Sequence, residues 1–354
     1  MLQSLGPATL PKDSDVFLGI DVSITSWHVT VRFLGETAFS ASLPPSREAL
    51  ARVLERLRGC RVHSVYEAGA FGYSLHDWLV EQGVDSIVAS PSHIPVEVGN
   101  RVKTDRRDSL KLATTLEAGL PRPIFIPPMR QRADRELVRQ RDRLQRHRRA
   151  AMIRLRAFFL TYAIACPFRA GRPWGGPLQR WLRDLRLEND SLQQVLEEAR
   201  GVFFELDKRL RDLERRLRAM AHSEPYAAST ALLTSVPGIA EINALTLAVE
   251  LGDLRRFGGG ESLSAYLGLT PSEYSSGDKI RHGRITRCGN RLVRTLLVEA
   301  SWVVIRKDER LRAVYQKLKK TRGAKRALIA VARRLCHCLV AMARKGELYC
   351  PQAA

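Results

Sequence analysis

Length, composition and cysteine spacing exclude several classes of protein. The chain has 354 residues, 45% of them apolar, so it can form two or three domains with buried cores and is neither a disordered tail nor a mini-protein. It contains no N-terminal signal-like segment and no run of about 18 apolar residues, which argues against secretion and membrane spanning. The six cysteines show no CxxC pair and no zinc or disulfide spacing. We therefore expect a reduced, cytoplasmic protein.

The net charge of +21 is unevenly distributed along the chain. Residues 1–130 carry 14 basic and 14 acidic side chains, residues 131–223 carry 22 and 12, and residues 224–354 carry 22 and 11. Arginine supplies 47 of the 58 basic residues, and its planar guanidinium binds phosphates bidentately and stacks on bases. A solvated basic surface is the alternative, but +21 exceeds what solubility requires. The last two segments are therefore predicted to bind DNA or RNA.

The first 120 residues alternate between strand-like and helix-like patterns. Strands are predicted at 16–23, 27–34, 37–43, 63–68 and 85–89, and helices at 46–57, 73–81 and 104–117. A three-strand meander followed by alternating helix and strand predicts a mixed α/β sheet of the RNase-H-like type. Prolines at 121, 123, 127 and 128 then predict a stiff linker, because helix cannot continue there.

Long arginine-rich helices are predicted next, from residue 131 to about 165 and from about 178 to 222. In the second helix, apolar residues recur at alternating spacings of three and four, as in a coiled-coil seam; they are Phe203, Leu206, Leu210, Leu213, Leu217 and Met220. The two helices, joined by a loop at 167–177, are predicted to form a coiled-coil hairpin.

A compact helical region is predicted from residue 228 to about 345. Its turn Ser235-Val-Pro-Gly-Ile239 is similar to a helix-hairpin-helix turn, whose backbone amides bind a phosphate, although Ala240 replaces the usual second glycine. A plain helix start with proline in its first turn explains the same residues equally well. The predicted domains are therefore an α/β domain at 1–128, arms at 129–223 and a helical domain at 224–354.

Four acidic residues of the first domain are candidates for one site. Asp21 lies opposite the apolar residues of its predicted strand, because successive side chains point to opposite faces. Glu67 lies near the end of another strand. Asp105 and Asp108 are three positions apart and share a helix face, although the helix dipole alone also favours acids in a first turn.

These four carboxylates suit a metal site. Carboxylates on neighbouring strands would face one cleft, where burial is costly unless a cation compensates. Hard oxygen ligands of this number suit two Mg²⁺ or Mn²⁺ ions about 4 Å apart, which stabilise the attacking and leaving oxygens at a phosphate. A basic chain with an acidic metal cleft predicts an enzyme that acts on phosphodiester bonds.

At these positions the chain resembles the RuvC-like DEDD insertion-sequence transposases of the "one-ten" family. The motifs that carry the resemblance are Gly19-Ile-Asp21-Val-Ser, Tyr66-Glu67-Ala-Gly, Lys103-Thr-Asp105-Arg-Arg-Asp108, Val236-Pro-Gly-Ile, Gly252-Asp-Leu-Arg-Arg-Phe257, Tyr266-Leu-Gly-Leu-Thr-Pro271, Ser275-Ser-Gly277 and Gly289-Asn-Arg-Leu-Val-Arg294. They run in order over nearly the whole chain. The resemblance implies a DNA transposase or recombinase whose DEDD carboxylates hold Mg²⁺.

The segment 271–277 is a predicted loop, in which a serine before glycine is most often a turn former. The resemblance instead implies a catalytic serine at Ser276, with Ser275 as the second choice. Its hydroxyl would attack a DNA phosphate, and the phosphoserine bond would conserve the energy needed to rejoin strands. Since 168 positions separate Asp108 from Ser276, dimerisation through the arms could bring the serine of one chain to the carboxylates of another.

Basic residues after the serine are candidates for holding nucleic acid, although a solvated basic face is an equal alternative. They are Lys279, Arg281, Arg284, Arg287, Arg291 and Arg294, with Lys325 and Arg326 further on. The resemblance implies donor DNA, target DNA and a structured guide RNA as partners, and the arms imply a homo-oligomer, a dimer or tetramer. Two alternatives remain: a metal-dependent Holliday-junction resolvase without a covalent intermediate, and a non-catalytic nucleic-acid-binding protein.

Overall fold

The computed structural model describes residues 10–91, 94, 104–167, 174–273 and 282–351. The chain divides into two compact units, Met1–Ile126 and Pro127–Ala354. The predicted boundary between the arms and the helical domain falls inside the second unit, and the three-domain division stays a prediction.

The first unit contains a five-stranded sheet, which confirms the predicted mixed α/β fold. The strands are β1 (Asp15–Val22), β2 (Trp27–Phe33), β3 (Glu36–Leu43), β4 (Arg61–Glu67) and β5 (Asp85–Ala89), in the order β3-β2-β1-β4-β5. The pairs of β1 with β2 and of β2 with β3 are antiparallel, whereas β4 is parallel to both β1 and β5. The meander therefore forms one half of the sheet and the parallel strands the other.

Helices cover both faces of this sheet. They are α1 (Arg47–Arg56), α2 (Ser74–Glu81) and α3 (Asp105–Glu117). Val16, Leu18 and Ile20 of β1 are fully buried in a core with α1 and α2. The opposite face carries Val65 and packs against Leu112 of α3. Consecutive residues of β4 thus lie in different cores, since Tyr66 packs with α1 and α2 whereas Val65 packs with α3.

Two long antiparallel helices form the arms of the second unit. The helices are α4 (Met129–Thr161), α5 (Gly176–Asp184) and α6 (Asp190–Ala221). Ion pairs from Arg141 to Glu214 (2.8 Å) and from Arg148 to Asp207 (2.6 Å) fix the antiparallel register of α4 and α6. The seam residues Phe203, Leu210 and Leu217 are buried.

The prediction of one continuous helix from 178 to 222 is wrong. Helix α5 ends at Asp184 and α6 begins at Asp190. The side chain of Asn189 accepts a hydrogen bond from Leu192 N (3.0 Å), and this N-cap satisfies a backbone donor that a new helix leaves open.

The rest of the second unit is mostly helical, as predicted. Its helices are α7 (Ala227–Thr234), α8 (Glu241–Leu251), α9 (Gly260–Tyr266), α10 (Arg291–Lys307), α11 (Glu309–Arg322) and α12 (Ala324–Lys345). A short antiparallel ribbon interrupts them, formed by β6 (Pro271–Glu273) and β7 (His282–Ile285). Residues 271–273 are therefore a strand, where a loop was predicted. Within the described ranges, none of the helices is long and apolar enough to cross a membrane.

Candidate active site and nucleic-acid interface

Asp21 and Glu67 occupy equivalent positions on neighbouring strands. Ile20 pairs with Tyr66 in the parallel ladder of β1 and β4, so Asp21 and Glu67 are the next residues on each strand. Ile20 and Tyr66 face the core with α1 and α2, and the two carboxylates therefore lie on the opposite face, which α3 covers. Asp21 is half-buried and Glu67 is exposed.

Gly19 allows α3 to approach that face closely. A Cβ atom at Gly19 would overlap the backbone of α3 at Ser109 and Ala113. The hydroxyls of Thr30 and Ser109 are hydrogen-bonded at 2.8 Å in the interior. These contacts place the N-terminal half of α3 on the Gly19 and Asp21 face of the sheet.

The C-terminal end of α3 is also tied to the sheet. Arg32 of β2 forms an ion pair with Glu117 at 2.6 Å, and the Gly35 amide donates to the same carboxylate at 2.7 Å. Burial alone would raise the pKa of Glu117, but these two donors hold it below its usual range. The helix is therefore anchored at its middle and at its C-terminal end.

Asp105 and Asp108 lie in the first turn of α3, where Thr104 caps the helix. Asp105 is exposed and Asp108 is half-buried. His28 pairs with Asp21 in the antiparallel ladder of β1 and β2. Burial lowers the pKa of His28, the charge of Asp105 opposes that effect, and the charge of Arg106 adds to it.

His28 is a neighbour of Asp21 that sequence reasoning missed. Its Nε2 lies 3.1 Å from Ser40 Oγ. The sequence does predict its face of the strand, because the alternation in Trp27-His-Val-Thr30 puts His28 and Thr30 on the polar face of β2. Only the pairing with β1 shows that this polar face is the one that carries Asp21.

The four carboxylates are oxygen ligands of the kind that a divalent cation prefers, and two of them, Asp21 and Glu67, lie on one face of the sheet. Among the described residues, no three His, Cys, Asp or Glu side chains are grouped closely enough to hold a metal ion. Mg²⁺ commonly uses one or two carboxylates and keeps several waters. Asp21 and Glu67 on adjacent strands are the pair best placed for such a role.

The predicted serine lies outside the described residues, and so do Ser275, Lys279 and Arg281. The described residues on either side of this segment form the ribbon of β6 and β7. The backbone beside the ribbon is tightly packed: a Cβ at Gly268 would overlap the backbone at Cys288, and one at Gly289 would overlap Tyr266 O. This junction therefore tolerates no side chain at either glycine.

The candidate arginines of this region divide into two groups. Arg284, Arg287 and Arg291 are exposed, and none forms an ion pair or hydrogen bond through its side chain with the part of the chain that the structure describes. Arg287 also adopts a left-handed conformation (φ 58°), which is unfavourable for a residue with a Cβ. These three side chains are available to phosphates.

Arg294 has a different role. Its Nη1 donates to the carbonyl oxygens of Leu267 (2.7 Å) and Cys288 (3.0 Å). Burial lowers the pKa of Arg294, and the positive charges of Arg287 and Arg291 lower it further. The side chain thus holds the junction together while lying close to two other cations.

Lys325 and Arg326 lie at the start of α12 and are exposed. Cations are disfavoured at a helix N-terminus, because the helix dipole is positive there. Their neighbours at the end of α11, Lys319, Lys320 and Arg322, are exposed as well. This turn is therefore a concentrated positive patch that a phosphate would stabilise.

Many arginines of the arms already have partners within the protein. Asp207 is buried and accepts from both Arg148 and Arg211 (2.6 and 3.1 Å). Arg148 also lies over the ring of Phe203, and Arg183 over Phe204, at 5.3 and 4.5 Å. Within the described part of the arms, the exposed cations without such a partner are Arg149, Arg154, Arg180, Lys208 and Arg216. The arms therefore offer far fewer free cations than their composition indicates.

A buried carboxylate connects the arms to the start of α10. Glu250 is only 1% exposed and accepts two hydrogen bonds from Arg139 (2.7 and 3.0 Å) and one from Asn290 Nδ2 (2.8 Å). Asn290 is the N-cap of α10 and accepts from Val293 N (3.1 Å). Sequence reasoning missed Glu250, although an acid at the end of an apolar helix needs a partner.

Two family models match this chain. A model described as "Transposase", with a DEDD designation for IS110 elements, matches residues 18–164. A model described as "Transposase IS116/IS110/IS902 family" matches residues 230–316. The first contains all four candidate carboxylates, and the second contains the ribbon and Glu250.

The curated relatives that this chain matches also bear transposase names. The y4qE protein of Sinorhizobium fredii, which bears a transposase name, is 32% identical over 293 residues, or 81% of this chain and 71% of that protein. The transposase for insertion sequence element IS1533 of Leptospira borgpetersenii is 27% identical over 56% of this chain and 58% of its own length. The transposase for insertion sequence element IS1111A of Coxiella burnetii is 26% identical over 75% and 73%.

Proposed function

Since this chain belongs to the IS110 family of transposases, and so to enzymes that cleave and rejoin DNA, we propose that it does so through a serine nucleophile and a carboxylate site. The nucleophile is Ser276, with Ser275 as the second choice. The carboxylate site consists of Asp21, Glu67, Asp105 and Asp108. We also propose that the α/β domain is RuvC-like, which its strand order and directions support.

The proposal is supported best by the packing of α3 on the sheet face that carries Asp21 and Glu67. Asp21 and Glu67 are adjacent in register, and α3, which begins with Asp105, packs on the same face at Gly19. Such a set would hold Mg²⁺ or Mn²⁺, which when bound stabilises charge on phosphate oxygens. Asp21 and Glu67 would provide the first ligands, and the first turn of α3 the others.

The serine step conserves the number of phosphate ester bonds. The Ser276 hydroxyl loses its proton as its Oγ forms a bond to a DNA phosphorus, and the bond from that phosphorus to one deoxyribose oxygen breaks. The released DNA hydroxyl takes up a proton. When another DNA hydroxyl attacks the phosphoserine, the serine is regenerated and the strands are joined in a new combination without ATP.

The cations support the proposed partners. Arg284, Arg287 and Arg291 follow the serine segment closely and would hold the DNA backbone beside it. Free cations in the arms, such as Arg154 and Arg180, are compatible with a structured guide RNA. We further propose that the arms act as a coiled coil in a homo-oligomer, a dimer or tetramer.

A suicide DNA substrate tests the serine directly. If a nicked substrate traps the intermediate, a protein–DNA adduct should remain on a denaturing gel with the native chain and with Ser275→Ala. Ser276→Ala should give no adduct, because its Cβ has no nucleophilic oxygen. An adduct of normal yield with Ser276→Ala, and none with Ser275→Ala, would assign the reaction to the other serine.

The same assay separates the alternatives. A junction resolvase would cut DNA without any adduct, because water would be the nucleophile. A non-catalytic binding protein would neither cut nor form an adduct, and Asp21→Asn would then change nothing. We expect Asp21→Asn to reduce adduct formation at least 100-fold, consistent with the size of such electrostatic contributions.

A further inference from the structure

Trp302 is an exposed tryptophan on the surface of the basic second unit. Its side chain is 43% exposed, whereas the other four tryptophans are buried or half-buried. The ring of Tyr315, which is itself buried, contacts the indole with a centroid distance of 6.0 Å and an angle of 66°. The indole therefore packs against one buried ring while much of the residue faces solvent.

Trp302 lies on the same face of α10 as Arg291. The two residues are 11 positions apart, and at about 100° per residue they differ by only about 20° around the helix. At about 1.5 Å per residue they lie roughly 16 Å apart along the helix axis. Thr295 and Val298 lie between them on this stripe. An unpaired cation at the start of α10 and an aromatic ring three turns later thus lie on the same side of the helix.

This combination matches the chemistry of single-stranded nucleic acid. Proteins that bind single strands pair a positive track for the phosphates with aromatic side chains on which bases stack. A single exposed apolar residue needs no special explanation, but this one is a large π surface that packs against a buried ring, on a unit with 45 basic and 23 acidic residues.

We propose that Trp302 stacks on an unpaired base of a DNA strand whose backbone is held by Arg291. The inference deepens the proposed function, on which it rests, because strand exchange must unpair bases near the cut. With about 3.4 Å per stacked nucleotide, the separation of the two residues corresponds to about five nucleotides. Trp302 thus binds a base about five nucleotides from the phosphate at Arg291.

Binding of the full-length protein to two DNA probes tests this. One probe is a fully paired duplex and the other has the same sequence with a central bubble of six unpaired nucleotides. Trp302→Ala should weaken binding to the bubble about tenfold, a typical effect of losing one stacked base, and leave duplex binding within about twofold. Trp302→Phe should keep most of the preference, because phenylalanine retains an aromatic face.

Fluorescence provides a second readout. The bubble probe should quench the emission of the native chain more than the duplex does, and the difference should disappear in Trp302→Phe. Leu160→Ala is the control, since Leu160 is also an exposed apolar residue, in α4, and should change neither affinity nor quenching. Circular dichroism and melting temperature should be unchanged in all variants.

Three outcomes would overturn the proposal. One is that Trp302→Ala lowers the affinity for duplex and bubble equally, or lowers neither. Another is a loss for single-stranded RNA but not for bubbled DNA, which would assign the indole to RNA. The third is a lower sedimentation mass of Trp302→Ala with unchanged bubble binding, which would assign the indole to a contact with a second copy. Failure of the serine mechanism is measured separately, because the adduct assay reads strand cleavage whereas the bubble and duplex titrations read binding alone.

Discussion

A side chain at position 19 would collide with the backbone of α3. Gly19 lies two residues before Asp21 on β1, and a Cβ there would overlap main-chain atoms of Ser109 and Ala113. Main-chain atoms inside a helix cannot turn aside as a flexible side chain can. The alternative is for α3 to move away, and its first turn carries Asp105 and Asp108 with it.

We therefore expect Gly19→Ala to damage both stability and activity. Overpacking of this kind costs about 1–3 kcal/mol, measured by urea unfolding, and displacement of α3 should reduce adduct formation strongly. Gly201→Ala is the matched control, because Gly201 lies within α6 with open space around its Cα and alanine favours helix. A Gly19→Ala chain with native stability and activity would show that α3 does not position the carboxylates.

The sequence predicts individual side-chain directions in β1 better than it predicts their neighbours. Alternation along β1 predicts that Asp21 lies opposite the apolar core, and the pairing confirms this. The contact of Gly19 with Ser109 joins residues 90 positions apart, and no local pattern encodes it. For the same reason His28 could be assigned to a polar face but not to the neighbourhood of Asp21.

At the scale of elements, α10 depends on a residue of α8. The side chain of Asn290 caps α10 with its oxygen and donates from its nitrogen to Glu250. Glu250 in turn binds Arg139 of α4. This buried network fixes the start of α10, and therefore the position of Arg291, relative to the arms.

We expect Glu250→Ala to lower the stability of the second unit by about 1–3 kcal/mol, because a buried acceptor of three hydrogen bonds from Arg139 and Asn290 is lost. It should also weaken DNA binding, since the capping side chain loses its orientation. Glu136→Ala is the control: Glu136 pairs with the same Arg139, but its side chain is 60% exposed, so its loss should cost less than about 1 kcal/mol. Urea unfolding and DNA titration measure both variants. Equal effects of the two would contradict a special role for Glu250.

Element boundaries are predicted well where the pattern is local and poorly where long-range contacts decide. The five strands of the first unit agree with their predicted ranges within about two residues, because alternation and turn residues are local signals. The break between α5 and α6 was missed, since the apolar spacing continues across it and only Asn189 marks the new start. The ribbon of β6 and β7 pairs two segments across the serine segment, and neither segment is long enough to show a period of its own.

At the scale of the whole molecule, charge and core packing divide the chain at the same place. Met1–Ile126 carries 13 basic and 14 acidic residues, and Pro127–Ala354 carries 45 and 23. Each unit has hydrophobic clusters composed of its own residues. A unit that buries its own core can fold separately, so the carboxylates and the cations should be separable functions.

We expect a fragment of residues 127–354 to bind DNA and a fragment of residues 1–126 to bind it at least 100-fold more weakly. The reason is electrostatic: each phosphate that a cation neutralises releases counterions, so that affinity falls with salt with a slope of about −0.9 per contact. Fluorescence anisotropy of a labelled duplex over a range of salt concentrations measures this slope. Neutralising Arg284, Arg287 and Arg291 together should reduce the steepness of this salt slope by about 2 to 3. Replacing Arg141, whose charge is paired with Glu214, should leave the slope unchanged. Comparable binding by the two fragments would mean that DNA is held mainly by surfaces other than the basic one, and the assignment of the exposed arginines would fail.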